Sequence, residues 1–187
     1  MADPFRILGI AGSLRKASFN RGLIRAAQEL VPEGVIIEPI EIDALPHYNA
    51  DIDATGDPPS VAELKDRVLE ADALLIATPE YNNSIPGALK NAIDWASRPF
   101  GSGALKGKPA AVMGASAGPG ATKRVQPTLK LVLAAAGCLV LPEPEVFVAG
   151  AFMHCDPEGN LKDDSAIRDE IRALIVALVE FARQPAD

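Results

Sequence analysis

The residues best suited to chemistry are packed into one short stretch, Gly12-Ser13-Leu14-Arg15-Lys16-Ala17-Ser18-Phe19-Asn20. An apolar run, Ile7 to Ala11, precedes it and an amphipathic run, Leu23 to Val31, follows it. That order reads as strand, polar glycine-led turn, helix. Such a turn gathers backbone N–H groups, hydroxyls and a guanidinium at the positive end of a helix dipole, which suits a phosphate. Two familiar phosphate motifs do not fit. A Walker A loop ends in Gly-Lys-Ser/Thr, whereas the only Gly-Lys pair here is Gly107-Lys108, followed by Pro109. The dinucleotide fingerprint needs a second glycine where Leu14 stands. The remaining donors, Ser13, Arg15, Ser18 and Asn20, can wrap a terminal phosphomonoester, to which Arg15 offers a two-pronged contact. The alternative is an ordinary strand-to-helix connection in which Ser18 or Asn20 caps the helix.

The elements around this loop follow from apolar periodicity. Phe5 to Ala11 and Ala73 to Ala77 are nearly continuous apolar runs, as expected of parallel strands covered on both faces. Val35 to Ile42, Pro109 to Ala115 and a segment from Cys138 to Leu141 supply further strands, and Val146 to Val148 is also extended. Helices are expected between them. In the second inter-strand segment Ser60 and Glu63 have the spacing of a capping box, at the start of a helix whose apolar face is Val61, Leu64, Val68 and Leu69. Leu89, Ala92, Ile93 and Ala96 share one helical face, Val125, Leu129, Val132, Leu133 and Ala136 another, and Ile167, Ile171, Leu174, Ile175 and Leu178 a last one begun by Asp163 or Ser165. Asp43 to Pro59 reads as a long irregular connection, a length that often marks function.

Strands alternating with helices imply an α/β fold: a doubly wound, five-stranded parallel sheet in three α/β/α layers, as one domain over residues 1–187. Ligands of such sheets bind outside the carboxyl ends of the strands, at the switch point of strand order. Three unusual loops fall at that end: Gly12 to Asn20, Thr78 to Gly87, and the glycine-rich turn Ser116-Ala117-Gly118-Pro119-Gly120. Their convergence defines the expected site.

Bulk properties narrow the class. A chain of 187 residues, 48% hydrophobic and 23% charged, has the make-up of a globular domain. A net charge of −7 argues against nucleic acid as the main partner. No apolar run is long enough to span a bilayer, and Met1 to Phe5 does not resemble a signal peptide. Two cysteines are too few for a disulfide framework, so a reduced, cytoplasmic setting is expected. His154-Cys155-Asp156 has no spacing that fits a metal site and reads as a loop, and Cys138 as a small buried filler.

The runs Gly-Ser-Leu-Arg-x-x-Ser-Phe-Asn at Gly12 to Asn20 and Pro-Glu-Tyr-Asn-x-Ser-x-Pro-Gly-x-Leu-Lys-Asn-x-Ile-Asp-Trp at Pro79 to Trp95 resemble those of the NADPH-dependent FMN reductase family, within the flavodoxin-like fold. Leu45-Pro46 with Tyr48 is similar to the middle loop of its chromate and quinone reductases, a group that also includes azo-dye reductases. The resemblance implies non-covalent FMN and an NAD(P)H oxidoreductase passing electrons to quinones, azo compounds, chromate-like oxyanions or free flavin. The alternative is a flavodoxin-like carrier without NAD(P)H activity of its own. By position, Ser13, Arg15, Ser18, Phe19 and Asn20 would hold the phosphate and ribityl chain, Pro79, Glu80, Tyr81 and Asn82 would run along the isoalloxazine, and Ser116 would close the far side. Glu80 is expected to act through its backbone, and Trp95 as a helix or subunit-interface anchor. The family also implies a homodimer or homotetramer with a shared active site, to whose rim Tyr48 and Asn49 would contribute across the dimer. No catalytic acid, base or metal is expected, because the redox chemistry belongs to the cofactor. The loop containing Pro119 departs from the family's adjacent glycines and loses a backbone donor.

Overall fold

The computed structural model describes residues 3–163 and 165–184. Its strands are β1 (Phe5–Ala11), β2 (Val35–Ile40), β3 (Ala73–Ala77), β4 (Pro109–Ala115), β5 (Leu139–Val140) and β6 (Val146–Val148). The helices are α1 (Phe19–Glu29), α2 (Ala50–Asp53), α3 (Pro59–Glu70), α4 (Gly87–Ala96), α5 (Val125–Ala135), α6 (Ala151–His154) and α7 (Ser165–Arg183).

All strand pairings are parallel, in the order β2-β1-β3-β4-β5, with β6 also on β4. β5 pairs with the start of β4 (Pro109↔Leu139) and β6 with its end (Ala115↔Val148). The two are halves of one edge strand, interrupted over residues 141–145, where Pro142 and Pro144 cannot donate to the ladder. The fold is therefore flavodoxin-like, with the expected fifth strand broken in two.

Alternation along the strands builds two cores. Ile7, Leu75, Ala77, Ala111 and Met113 point to the face covered by α1 and α7, whose Leu23, Ile171, Leu174 and Leu178 meet them. Leu8, Ile10, Leu74, Ile76 and Val112 point to the other face, against Leu64 and Val68 of α3, Leu89 and Ile93 of α4, and Leu129 and Leu133 of α5. Burial on both faces explains why β1 and β3 read as unbroken apolar runs.

Four local expectations need correction. Ser60 does not cap α3: the helix begins at Pro59, its cap residue is Pro58, and the Ser60 hydroxyl donates instead to the Ala44 carbonyl at 3.1 Å. Proline suits a first helical turn because it needs no N–H partner there. The second strand ends at Ile40, just past Pro39, rather than at Ile42. The connection after it is not wholly irregular, since α2 forms there with the Asn49 side chain accepting from the Asp51 N–H at 2.9 Å. Leu69, assigned to the inner face of α3, is 62% exposed. Among the described residues, no helix is long and apolar enough to cross a membrane.

Candidate functional site

The first loop is fixed from below before it can receive anything. Gly12 donates to the Ala77 carbonyl at 2.8 Å, tying the end of β1 to β3. Ser18, in extended conformation, caps α1 by accepting from the Arg21 N–H at 3.4 Å, so Ser18 rather than Asn20 fills that position. The backbone N–H groups of Phe19 and Asn20 then open the helix with no carbonyl inside it to bond. Ser13 is buried; its hydroxyl lies 3.3 Å from the Tyr81 hydroxyl and accepts from the Arg15 N–H at 3.4 Å. The Arg15 guanidinium stands 5.9 Å from the centre of the Phe19 ring and forms no ion pair among the described residues.

Asn20 has a different task from the one its type implies. Its amide is buried, donating to the Ala115 carbonyl at 3.0 Å and accepting from the Ala115 N–H at 2.9 Å. This pair joins the start of α1 to the end of β4 and leaves the backbone as the main part of Asn20 facing a ligand.

The second loop turns sharply. Tyr81 and Ser84 exchange backbone hydrogen bonds at 3.2 and 3.0 Å, and Asn82 and Asn83 take left-handed φ of 51° and 61° between them. Asparagine tolerates that region better than other side-chain-bearing residues. Tyr81 is 46% exposed beside Ser13. Asn82 lies at the exposed tip and does not line the cleft.

The Glu80 carboxylate, only 8% exposed, accepts from the N–H groups of Arg124 and Val125, both at 3.2 Å, and from Arg124 Nη1 at 3.0 Å. It caps the positive end of α5, a favourable place for a carboxylate, and ties the second loop to the third. The side chain is thus engaged away from the cleft, leaving the backbone of Glu80 to face it. Arg124 has its partner here.

In the third loop Ser116 donates its N–H to the Val148 carbonyl at 3.0 Å, and its hydroxyl accepts from the Gly118 N–H at 3.3 Å. The three loops together enclose a cleft of about 200 Å³. Its walls are Ser13, Arg15, Ser18, Phe19 and Asn20 on one side, Pro79, Glu80 and Tyr81 on another, and Ala115, Ser116 and Ala117 at the back. It opens between β1 and β3, the point where strand order reverses.

Tyr48 and Asn49 are not brought into this cleft. The Tyr48 ring meets Trp95 edge-on, with centroids 4.9 Å apart, and Arg98 stacks over it at 5.2 Å. Trp95 is fully buried and donates from Nε1 to the Pro46 carbonyl at 2.8 Å, while Asn91 bonds both Pro46 and the Tyr48 N–H. Trp95 therefore anchors the middle loop against α4. A larger cavity of about 440 Å³ lies between α4 and α5, lined mainly by Ile93, Val132, Ala135, Ala136 and the rims of Lys90 and Lys106. It shares no lining residue with the cleft.

His154-Cys155-Asp156 forms the end of α6 and the start of a tight turn, with Cys155 buried and bridged to Leu161. Hydrogen bonds from the Asn160 side chain and backbone hold the Asp156 carboxyl below the usual carboxylate range. Among the described residues no group of three or more His, Cys, Asp or Glu is arranged to hold a metal ion. Burial pushes the Cys138 thiol up to about 12, more than the nearby Lys108 offsets, and burial with Asp156 beside it also raises Cys155. Both thiols are therefore expected to resist an aromatic disulfide reagent at pH 8 in the folded protein and to react fully in denaturant. Stoichiometric labelling of either one in the native state would contradict this packing.

A flavodoxin-like sheet with a phosphate-type cleft at its switch point defines a class of nucleotide-binding α/β proteins. Comparison with known proteins specifies it. The model of the NADPH-dependent FMN reductase family matches residues 5–152. An NAD(P)H-dependent FMN reductase from Pseudomonas aeruginosa is 46% identical over 184 residues, covering 98% of each chain. A quinone reductase from Pseudomonas putida is 41% identical over 167 residues, 87% of this chain and 88% of its own. Among solved structures, FerB from Paracoccus denitrificans, a flavoenzyme NAD(P)H:(acceptor) oxidoreductase, superposes with a TM-score of 0.85 at 38% identity, over 95% of this chain and 96% of its own. The chain belongs to the NADPH-dependent FMN reductase family.

Proposed function

We propose that the protein is an FMN-dependent NAD(P)H oxidoreductase that passes electrons to quinones, and also to azo compounds, chromate-like oxyanions or free flavin. The observation that carries the reading is the donor set of the cleft. An arginine with no ion pair among the described residues, two serine hydroxyls and the first N–H groups of a helix face one small volume, the composition a phosphomonoester requires. The names of the relatives agree with it.

The residues fit FMN. Ser13, Arg15, Ser18 and the backbone of Phe19 and Asn20 would hold the phosphate and the adjoining chain. The cleft, at about 200 Å³, is smaller than the roughly 300–1,000 Å³ of complete small-molecule pockets, so it suits this end of the cofactor. The backbone of Pro79 and Glu80 with the Tyr81 ring would border the flavin ring, and Ser116 the opposite side. When bound, FMN supplies two-electron transfer between NAD(P)H and acceptor. The chain's own part is to orient the cofactor and leave one face open.

We further infer a homodimer or homotetramer and a cytoplasmic setting. Phe100 and Leu131 are 88% and 73% exposed near the groove between α4 and α5, a surface suited to a second copy. Tyr48 and Asn49, outside their own cleft, would then reach a partner's. Both cysteines are free, in keeping with a reducing compartment.

Arg15→Ala is expected to weaken FMN binding by about 10- to 100-fold, the loss of a charge-assisted contact of roughly 1.5–3 kcal/mol. Fluorescence titration of FMN checks it. Unchanged affinity would remove Arg15 from the site.

A further inference from the structure

The turn Asp156–Asn160 lies beyond the residues matched by the family model and lines no part of the cleft. It nevertheless touches the phosphate loop from behind. A Cys155–Leu161 bridge closes the hairpin, with Asp156 donating to the Asn160 carbonyl at 2.9 Å and Lys162 to the His154 carbonyl at 2.8 Å. Cys155 and Leu161 sink into the core beneath α1 and α7. The tip is rigidified by one carboxylate: Asp156 accepts from the Asn160 backbone N–H at 2.7 Å and from its side-chain amide at 2.9 Å. Asn160 Oδ1 in turn accepts from Arg25 Nε at 2.6 Å, joining the turn to α1.

Two glycines let this turn reach the loop. Gly159 has φ of +84°, and a Cβ built there would stand 2.8 Å from the carbonyl carbon of Ala17 and 3.0 Å from that of Ser18. A Cβ on Gly22 would stand 1.8 Å from the Gly159 carbonyl oxygen. The backbone of the turn is therefore in direct contact with Ala17 and Ser18, and with the first turn of α1. Ser18 is the residue that caps α1 and contributes its hydroxyl to the cleft.

We propose that the Asp156–Asn160 turn is a positioning element for the phosphate loop, with Asp156 as its organising residue. By holding the Gly159 backbone against Ala17 and Ser18, it sets the direction of the donors that receive the phosphate. The inference rests on the FMN reading and adds a second layer to it. It predicts a specific signature: damage to the turn reduces affinity for the phosphorylated cofactor and spares the rest of the flavin.

The test compares FMN with riboflavin, which has the same ring and ribityl chain without the phosphate. Both are titrated by fluorescence against wild type, Asp156→Ala and Asp156→Asn. Asp156→Ala is expected to weaken FMN by about tenfold while changing riboflavin by less than about twofold. Asp156→Asn keeps an acceptor for the Asn160 backbone N–H and is expected to recover most of the loss. Equal weakening of both flavins, or an unchanged preference for FMN, would overturn the proposal. Should Asp156→Ala fail to fold by circular dichroism, Asn160→Ser removes the amide links to Asp156 and Arg25 and is read in the same way. A wild-type protein that binds FMN no better than riboflavin would overturn the FMN reading and this inference with it.

Discussion

Gly22→Ala is expected to destabilise the protein by about 3 kcal/mol or more, toward and beyond the upper end of what overpacking does. The reason is the identity of what the new methyl group would meet. Its Cβ would lie 1.8 Å from the Gly159 carbonyl oxygen, 2.9 Å from the Gly159 carbonyl carbon and 3.2 Å from the Asn160 Cα, all of them backbone. No flexible side chain is available to move aside. Relief requires α1 and the turn to separate, which also breaks the contact between Arg25 and Asn160. For a chain of this length a loss of that size lowers Tm by at least roughly 6 °C. Thermal denaturation of the variant checks it, and a Tm within about 2 °C of wild type would show that the two backbones are not in contact. FMN affinity should fall with it, because Ala17 and Ser18 rest on the same turn.

Asn20→Ala is expected to have a comparable effect by a different route. The substitution leaves the Ala115 N–H and carbonyl buried without their Asn20 partners. Each unsatisfied group costs about 1–3 kcal/mol, so the pair gives a loss of about 2–6 kcal/mol. Asn20→Asp should not restore it, since a carboxylate can accept from the N–H but would face the Ala115 carbonyl with a second oxygen. Urea denaturation with FMN titration on the same samples separates the two consequences. A stability change below about 1 kcal/mol would mean that the amide bridge is not formed in solution, and Asn20 would revert to a side-chain ligand of the phosphate.

These two residues also show where sequence reading reaches its limit. The strands were legible because burial on both faces writes itself as an apolar run, as in Leu74 to Ala77. The candidate site's location was legible because strand order places three odd loops at one end, and Ser13, Arg15, Ser18, Tyr81 and Ser116 do share the cleft. What each polar side chain bonds was not legible, because the partners are distant in sequence. Glu80 caps a helix 44 residues away, Asn20 bonds a strand end 95 away, and Arg25 meets a turn 135 away. Ser60 failed for a local reason: a neighbouring proline supplied the helix start, and the hydroxyl found the Ala44 carbonyl instead. Nothing near Gly22 in the chain reveals the Gly159 and Asn160 backbone it touches.

On the proposed function, the cleft holds FMN that NAD(P)H reduces. The most direct measurement is an anaerobic visible spectrum of the purified protein with FMN, recorded before and after addition of NADPH and, separately, NADH. Rapid bleaching of the bound-flavin band with at least one donor is the predicted result. A bound flavin that stays yellow with both would contradict the reductase and leave an FMN-binding electron carrier.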